Sequence, residues 1–223
     1  MQTLPLEYSS GHLFVTAQGE RWLLDTGSPT SIGRAGQLEL DGTRFPLRPS
    51  LLGLDIDSLV TSVGEPFSGL IGTDILGRLD LEIDLPSGLL KVSDSPLDVE
   101  GCMIELEAFM GVPLVHARST VGSHRMFFDT GAQLSYFNHP SLDSGEPAGE
   151  FRDFYPTIGE FHTTTYRVAF QIGSAHFSLR CGRLPELLSA TLAMAGAEGI
   201  IGNESCAGRK VGYLARRGRL VLG

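Results

Sequence analysis

The sequence predicts an all-β fold made of two similar lobes related by a pseudo-twofold axis. Three observations carry that expectation. The string "RWLLDTGSPTS" from Arg21 returns as "RMFFDTGAQLS" from Arg125, 104 positions on. Downstream, "GLIGTDIL" (69–76) returns as "GIIGNESC" (199–206), 130 positions on. The 28 Gly and 12 Pro, spread along 223 residues, favour many short strands with tight turns over long helices. A repeat outranks other local signals because it decides the whole architecture. Two copies at so long a period exclude a solenoid and leave a pair of packed lobes.

Taken in order, "HLFVTAQGERWLL" and, in the second copy, "LVHARSTVGSHRMFF" each read as a hairpin feeding the acid string. The apolar pair ahead of each Asp reads as a buried strand, and the Gly after Thr permits a sharp turn. Each carboxylate is thereby set at a strand end, near the core of its lobe. In the first half "LELDGTRFPL" reads as a hairpin with an Asp-Gly turn. "DIDSLVTSV" reads as a short helix begun by a capping residue. No spare hairpin remains there. "LEIDLPSGLLKV" (81–92) and "VGYLARRGRLVL" (211–222), again 130 apart, are strand–turn–strand patterns with Gly in the turn. "SDSPLDVEG" (93–101) is the linker, giving lobes at 1–95 and 96–223. Between acid string and Gly element the second half is 26 residues longer. That excess holds a candidate hairpin, "FRDFYPTIGEFHTTTYRVAFQIG" (151–173), turning at "PTIGE" and returning through Thr163–Val168.

Composition narrows the function. At 42% hydrophobic and 19% charged residues the chain is ordinary globular protein. A formal charge of −9 opposes nonspecific nucleic-acid binding, which needs a basic face. The basic ending "GRKVGYLARRGRLVLG" reads as a hairpin with a solvated basic face. No apolar run reaches the length of a membrane span. Three Cys without a C-x-x-C pair, and no leader-like start, point to a reducing, cytoplasmic setting and a bacterial source. The sequon "NES" (203–205) then has no consequence, and Cys206 reads as a buried thiol. The six His (12, 116, 124, 139, 162, 176) show no metal-binding spacing, and neither a nucleophile elbow nor a phosphate loop is present. Asp55 and Asp57, like Asp80, Glu82 and Asp84, alternate as on the solvent face of a strand.

The chemistry therefore rests on the paired acids. A lone buried carboxylate is costly. Two that face each other can share one proton, since neither ionises easily beside an ionised neighbour. One is then a base toward a water and the other an acid toward a scissile carbonyl.

The D-T-G-S and D-T-G-A strings, each with Ser six residues after its Asp (Ser31, Ser135) and its own apolar-apolar-Gly element, resemble the pepsin and retropepsin superfamily of aspartic peptidases. The resemblance covers roughly 12–92 and 112–222 and implies a two-lobed, pepsin/retropepsin-like acid protease fold. It implies that Asp25 and Asp129 are the catalytic pair, that Thr26 and Thr130 brace each other's loops, and that Gly27 and Gly131 let backbone approach the substrate. The segments around Gly72 and Gly202 would cross beneath the loops. Ser28 and Ala132 break the symmetry: a Ser28 hydroxyl donating to Asp25 would leave the shared proton on Asp129. Pepsin-like enzymes carry their single flap on the first lobe, whereas the candidate hairpin here is in the second. On it Phe154 and Tyr155 would cover substrate, and Ile158 and Gly159 would offer backbone hydrogen bonds. The implied activity is hydrolysis of an extended peptide by a monomer that needs no cofactor or metal. The missing first-lobe flap leaves two alternatives open: a catalytically weak peptide-binding protein, and a processing protease whose cleft a second copy or a partner completes.

Overall fold

A hairpin delivers the acid in each half. The computed structural model describes residues 1–155 and 158–223. In the first half β1 (Gln2–Ser9) leads into the hairpin of β2 (His12–Ala17) and β3 (Glu20–Leu24), and Asp25 follows β3 directly. After the acid loop come β4 (Ile32–Gly33) and the hairpin β5 (Gln37–Leu40)–β6 (Thr43–Pro46). Asp41 and Gly42 both take positive φ in that turn, as the Asp-Gly pair predicts. A second, very short hairpin, β7 (Ser50–Leu51)–β8 (Leu54–Asp55), precedes α1 (Ile56–Val63). The Asp55 side chain caps α1 by accepting from the Ser58 amide at 2.9 Å, and Gly64 ends the helix in the left-handed region. Next are β9 (Gly69–Ile71), α2 (Thr73–Leu76), β10 (Asp80–Asp84) and β11 (Leu89–Ser93). Residues 94–101 carry no strand or helix.

The second half contains β12 (Cys102–Glu105), β13 (Glu107–Phe109) and the hairpin β14 (Val112–Ser119)–β15 (Gly122–Phe128), which ends at Asp129. Then follow β16 (Ser135–Phe137) and the long hairpin β17 (Glu146–Tyr155)–β18 (Gly159–Ile172). β19 (Ala175–Gly182), α3 (Glu186–Met194), β20 (Gly199–Ile201), β21 (Lys210–Leu214) and β22 (Arg219–Leu222) complete the chain. Of the expected "PTIGE" turn, Pro156 and Thr157 lie outside the described residues.

The repeat is realised in the pairing. β9 runs parallel to β3 and antiparallel to β4, so Leu70 lies between Leu23 and Ile32. β20 runs parallel to β15 and antiparallel to β16, so Ile200 lies between Phe127 and Tyr136. β10 and β21, equivalent strands 130 residues apart, pair antiparallel with Leu81 opposite Tyr213, Glu82 opposite Gly212 and Ile83 opposite Val211. Glu82 and Gly212 are themselves equivalent positions, so the pseudo-twofold axis passes through that pair. This joint makes one ten-stranded sheet, in the order β12-β22-β21-β10-β11-β1-β2-β3-β9-β4. An eight-stranded sheet belongs to the second half alone. The fold is thus two-lobed and mostly β. Its main core runs through both halves and includes Trp22, Phe128 and Tyr213. A smaller cluster lies on each side of the acids, around Phe14, Leu23 and Leu70 in the first half and around Phe127, Tyr136 and Leu188 in the second.

Several expectations need correction. The first half does have a spare hairpin, β7–β8, turning on Leu52 and Gly53, both at positive φ. The sequence reading left α3 undescribed; its Leu188 and Leu192, one helical turn apart, are buried against the second cluster. Asp55 and Asp57 do not alternate along one strand: Asp55 ends β8 and caps α1, and Asp57 lies in the first turn of α1, where it pairs with Arg34 at 2.6 Å. Asp80, Glu82 and Asp84 do alternate along a strand, but none faces solvent. β10 is an inner strand, and its acids meet cations: Asp80 with Arg216 and Arg217 (2.6 Å to the latter), Glu82 with Lys91 (2.8 Å), Asp84 with Lys210 (3.0 Å). The basic ending forms the expected hairpin, β21–β22, yet three of its cations are committed to these acids rather than to a free basic face. Cys206 is fully buried, and burial pushes its thiol up to about 12. Among the described residues no helix is long and apolar enough to cross a membrane.

Candidate active site

Strand register places the two acids. The Asp25 amide donates to Ile71 O at 3.0 Å and the Asp129 amide to Ile201 O at 2.9 Å, which continues each parallel pair into its loop. Each Oδ1 then accepts two amides of its own loop. For Asp25 these come from Gly27 (2.9 Å) and Ser28 (3.0 Å), and for Asp129 from Gly131 (2.8 Å) and Ala132 (3.2 Å). Backbone amides thus fix both carboxylates.

The threonines join the loops. The Thr26 amide donates to Thr130 Oγ1 and the Thr130 amide to Thr26 Oγ1, both at 3.0 Å. Each hydroxyl donates onward to the opposite strand, Thr26 to Phe128 O (2.7 Å) and Thr130 to Leu24 O (2.8 Å). Both residues are fully buried. Such a network specifies one geometry because every member is satisfied. Beneath it, Ser31 and Ser135 accept the amides of Gly72 (2.8 Å) and Gly202 (3.0 Å), so the apolar-apolar-Gly segments do pass under the loops. Gly27 and Gly131 are required for a reason the sequence did not disclose. A Cβ on Gly27 would lie 2.2 Å from Asp129 Oδ2, and one on Gly131 would lie 2.5 Å from the Asp25 carboxyl. These glycines let each loop approach the opposite acid.

Each carboxyl lies against the loop of the other. Burial between the lobes, then the facing carboxylate, holds Asp25 well above the ordinary carboxylate value. Burial raises Asp129 as well, against the opposing pull of the amides it accepts. Two carboxyls this close titrate as a unit. The asymmetry expected of Ser28 lacks its cause: the Ser28 hydroxyl donates to Thr30 O at 2.9 Å, and only its amide reaches Asp25.

The acids lie in a cleft of about 290 Å³ whose walls differ. The first-half wall is aliphatic, with Leu23, Ile32, Leu70, Leu59 of α1, and Leu51, Leu52 and Leu54 of the β7–β8 hairpin. The second-half wall carries Tyr136, Ile200 and Phe161 with the polar residues Arg152, Asp153 and Glu160 of the long hairpin. Phe154 and Tyr155 also line the cleft. Burial, then both acids, raises the Tyr155 phenol, which stays neutral. Ile158 packs instead against the second-half cluster, and Gly159 pairs with Tyr155 at the start of the returning strand. The structure therefore brings Asp25, Asp129, their loops, Phe154 and Tyr155 together, and Ile158 and Gly159 are not part of the cleft lining.

Three contributors escaped the sequence reading. Asn203, the supposed sequon residue, is fully buried and donates to Gly11 O (2.7 Å) and Thr130 O (3.2 Å). It occupies the repeat position of Thr73, which donates to Ser28 O, so the alignment held the clue. His12 lines the cleft and crosses the lobes to Gln133 at 2.6 Å, and burial lowers its pKa. Tyr136, at the repeat position of Ile32, donates its hydroxyl to Asp153.

No family model and no curated protein sequence matches the chain. Its structure is similar to the crystal structure of an aspartic proteinase from Irpex lacteus, with a TM-score of 0.57 at 12% identity. The match covers the whole of this chain and 96% of that one. At that identity the likeness is one of fold. The chain has the two-lobed, all-β, pepsin-like fold.

Proposed function

We propose that the chain is an aspartic endopeptidase. One observation carries the reading: two partly buried aspartates, Asp25 and Asp129, each held by amides of its own loop and each with a pKa raised by burial, line one cleft between the two halves. A water between them loses a proton to the ionised carboxylate as it attacks the peptide carbon, and the protonated carboxyl gives its proton to the carbonyl oxygen. Collapse of the tetrahedral species breaks the C–N bond, with the proton passing to the departing nitrogen. The two carboxyls supply both acid and base, so the step needs no cofactor.

The substrate lies extended across the cleft, beneath Phe154 and Tyr155 on one side and the β7–β8 tip on the other. Covers from both halves favour a monomer whose site is complete over one needing a partner. Three free cysteines suit a reducing compartment such as the cytoplasm, and the charge of −9 disfavours nucleic acid as a partner.

The test is cleavage of a mixed peptide library from about pH 3 to about pH 8, by the chain and by Asp129→Ala. Cleavage by the chain that vanishes in the variant is the expected result. Binding without cleavage at any pH would leave a peptide-binding module instead.

A further inference from the structure

The two walls of the cleft meet a substrate with different chemistry. Three repeat-related positions flank the acids on each side. In the first half they are Leu23, Ile32 and Leu70, and in the second Phe127, Tyr136 and Ile200. Replacing an isoleucine by Tyr136 brings a hydroxyl to the second-half side, and that hydroxyl holds the Asp153 carboxylate. Asp153 also accepts the Phe154 amide at 2.7 Å, so its position is fixed from two directions.

What Asp153 lacks is a cation. Its neighbour Arg152 is spent on Glu160 at 2.5 Å. Among the described residues no Lys or Arg pairs with Asp153, and apart from the two facing acids it is the one aspartate lining the cleft. His12 feels its charge, yet burial lowers the imidazole pKa and keeps it neutral near pH 7. A positioned carboxylate that is only partly exposed, unpaired and part of a cleft lining pairs strongly with a cationic side chain brought to it. The aliphatic first-half wall offers a cation nothing of the kind.

Building on the endopeptidase reading, we infer that Asp153 makes the second-half subsite selective for a basic side chain, Lys or Arg, while the first-half subsite takes a large apolar one. The preferred substrate pairs the two across the scissile bond.

The test uses two peptide series, identical except for Lys or norleucine at each position flanking the scissile bond. At one flank, the Lys peptide should show a kcat/KM about tenfold higher. That advantage should shrink as salt is raised and collapse to a ratio near one in Asp153→Asn, which can still accept the Tyr136 hydroxyl. Equal cleavage of both series, or a Lys preference that survives in Asp153→Asn, overturns the inference and leaves the endopeptidase reading intact. If neither series is cleaved, the endopeptidase reading fails, and binding of the same peptides to the intact chain decides the inference. Lys peptides binding about tenfold tighter, with the gain lost in Asp153→Asn, uphold it, and equal binding overturns it.

Discussion

Thr26 and Thr130 make the same bonds to equivalent atoms, and Ser31 and Ser135 hold equivalent glycine amides. The walls a few ångströms above them share almost nothing. One is a tiny leucine hairpin and a helix, and the other a long hairpin bearing Arg152, Asp153 and Glu160. Divergence begins just outside the grip. Ser31 donates to Asp74 at 2.6 Å, but the equivalent of Asp74 is Glu204, which binds Arg167 and the Arg180 amide instead. The two halves stay alike where the two carboxyls face one another and differ in the walls of the cleft above them.

The largest test of that comparison is catalytic. Asp25→Asn and Asp129→Asn should each lower kcat on a cleaved peptide by at least about 10³-fold, the order expected for loss of a general acid or base. A variant that keeps substantial activity would break the equivalence of the pair. Next, Thr26→Val and Thr130→Val should each destabilise the fold by about 2–4 kcal/mol in urea unfolding, because each strands one buried amide and one buried carbonyl. Losses that differ by more than about 1 kcal/mol would show that the grip is less symmetric than its geometry.

A third test uses pH. Both acids are raised in the folded state, so above the ordinary carboxylate value the folded chain binds more protons than the unfolded one. Stability is full below that value and falls as pH rises through the raised pKa. Asp25→Asn removes the repulsion, so its unfolding free energy should exceed that of the unaltered chain near neutral pH. The gap should close on acidification, and parallel curves would exclude the coupling. The smallest effect concerns a wall. Leu52 at the first hairpin's tip is 70% exposed, so Leu52→Ser should leave stability within about 0.5 kcal/mol. It should raise KM by about fivefold through lost apolar contact.

Sequence made the symmetric part legible and the asymmetric part obscure. Asp-Thr-Gly and the apolar-apolar-Gly segments repeat because both copies meet the same steric demand, so their alignment exposed the two lobes and the paired acids, while the bracing by the threonines came from the resemblance those strings carry. The β7–β8 hairpin escaped notice because its strands are two residues long and its turn puts Leu52 at φ 51°, where Asn, Asp or Gly is the usual signal. Asp80, Glu82 and Asp84 gave the period of a half-exposed strand. Their cations, apart from Lys91, lie about 130 residues further along, and local pattern does not reach that far. Ser28 was assigned a role from its spacing to Asp25, but its hydroxyl had a nearer acceptor in Thr30 O.

The pairing of β10 with β21 also sets a timetable. During synthesis β10 leaves the ribosome about 130 residues ahead of its partner. At roughly 5–20 residues per second the wait is on the order of ten seconds. Until then Asp80 and Asp84 have no counter-ions, the ten-stranded sheet lacks its middle joint, and Asp25 has no Asp129 held opposite it. The facing acids therefore meet only as the chain closes on itself, by which time the backbone around them is folded away.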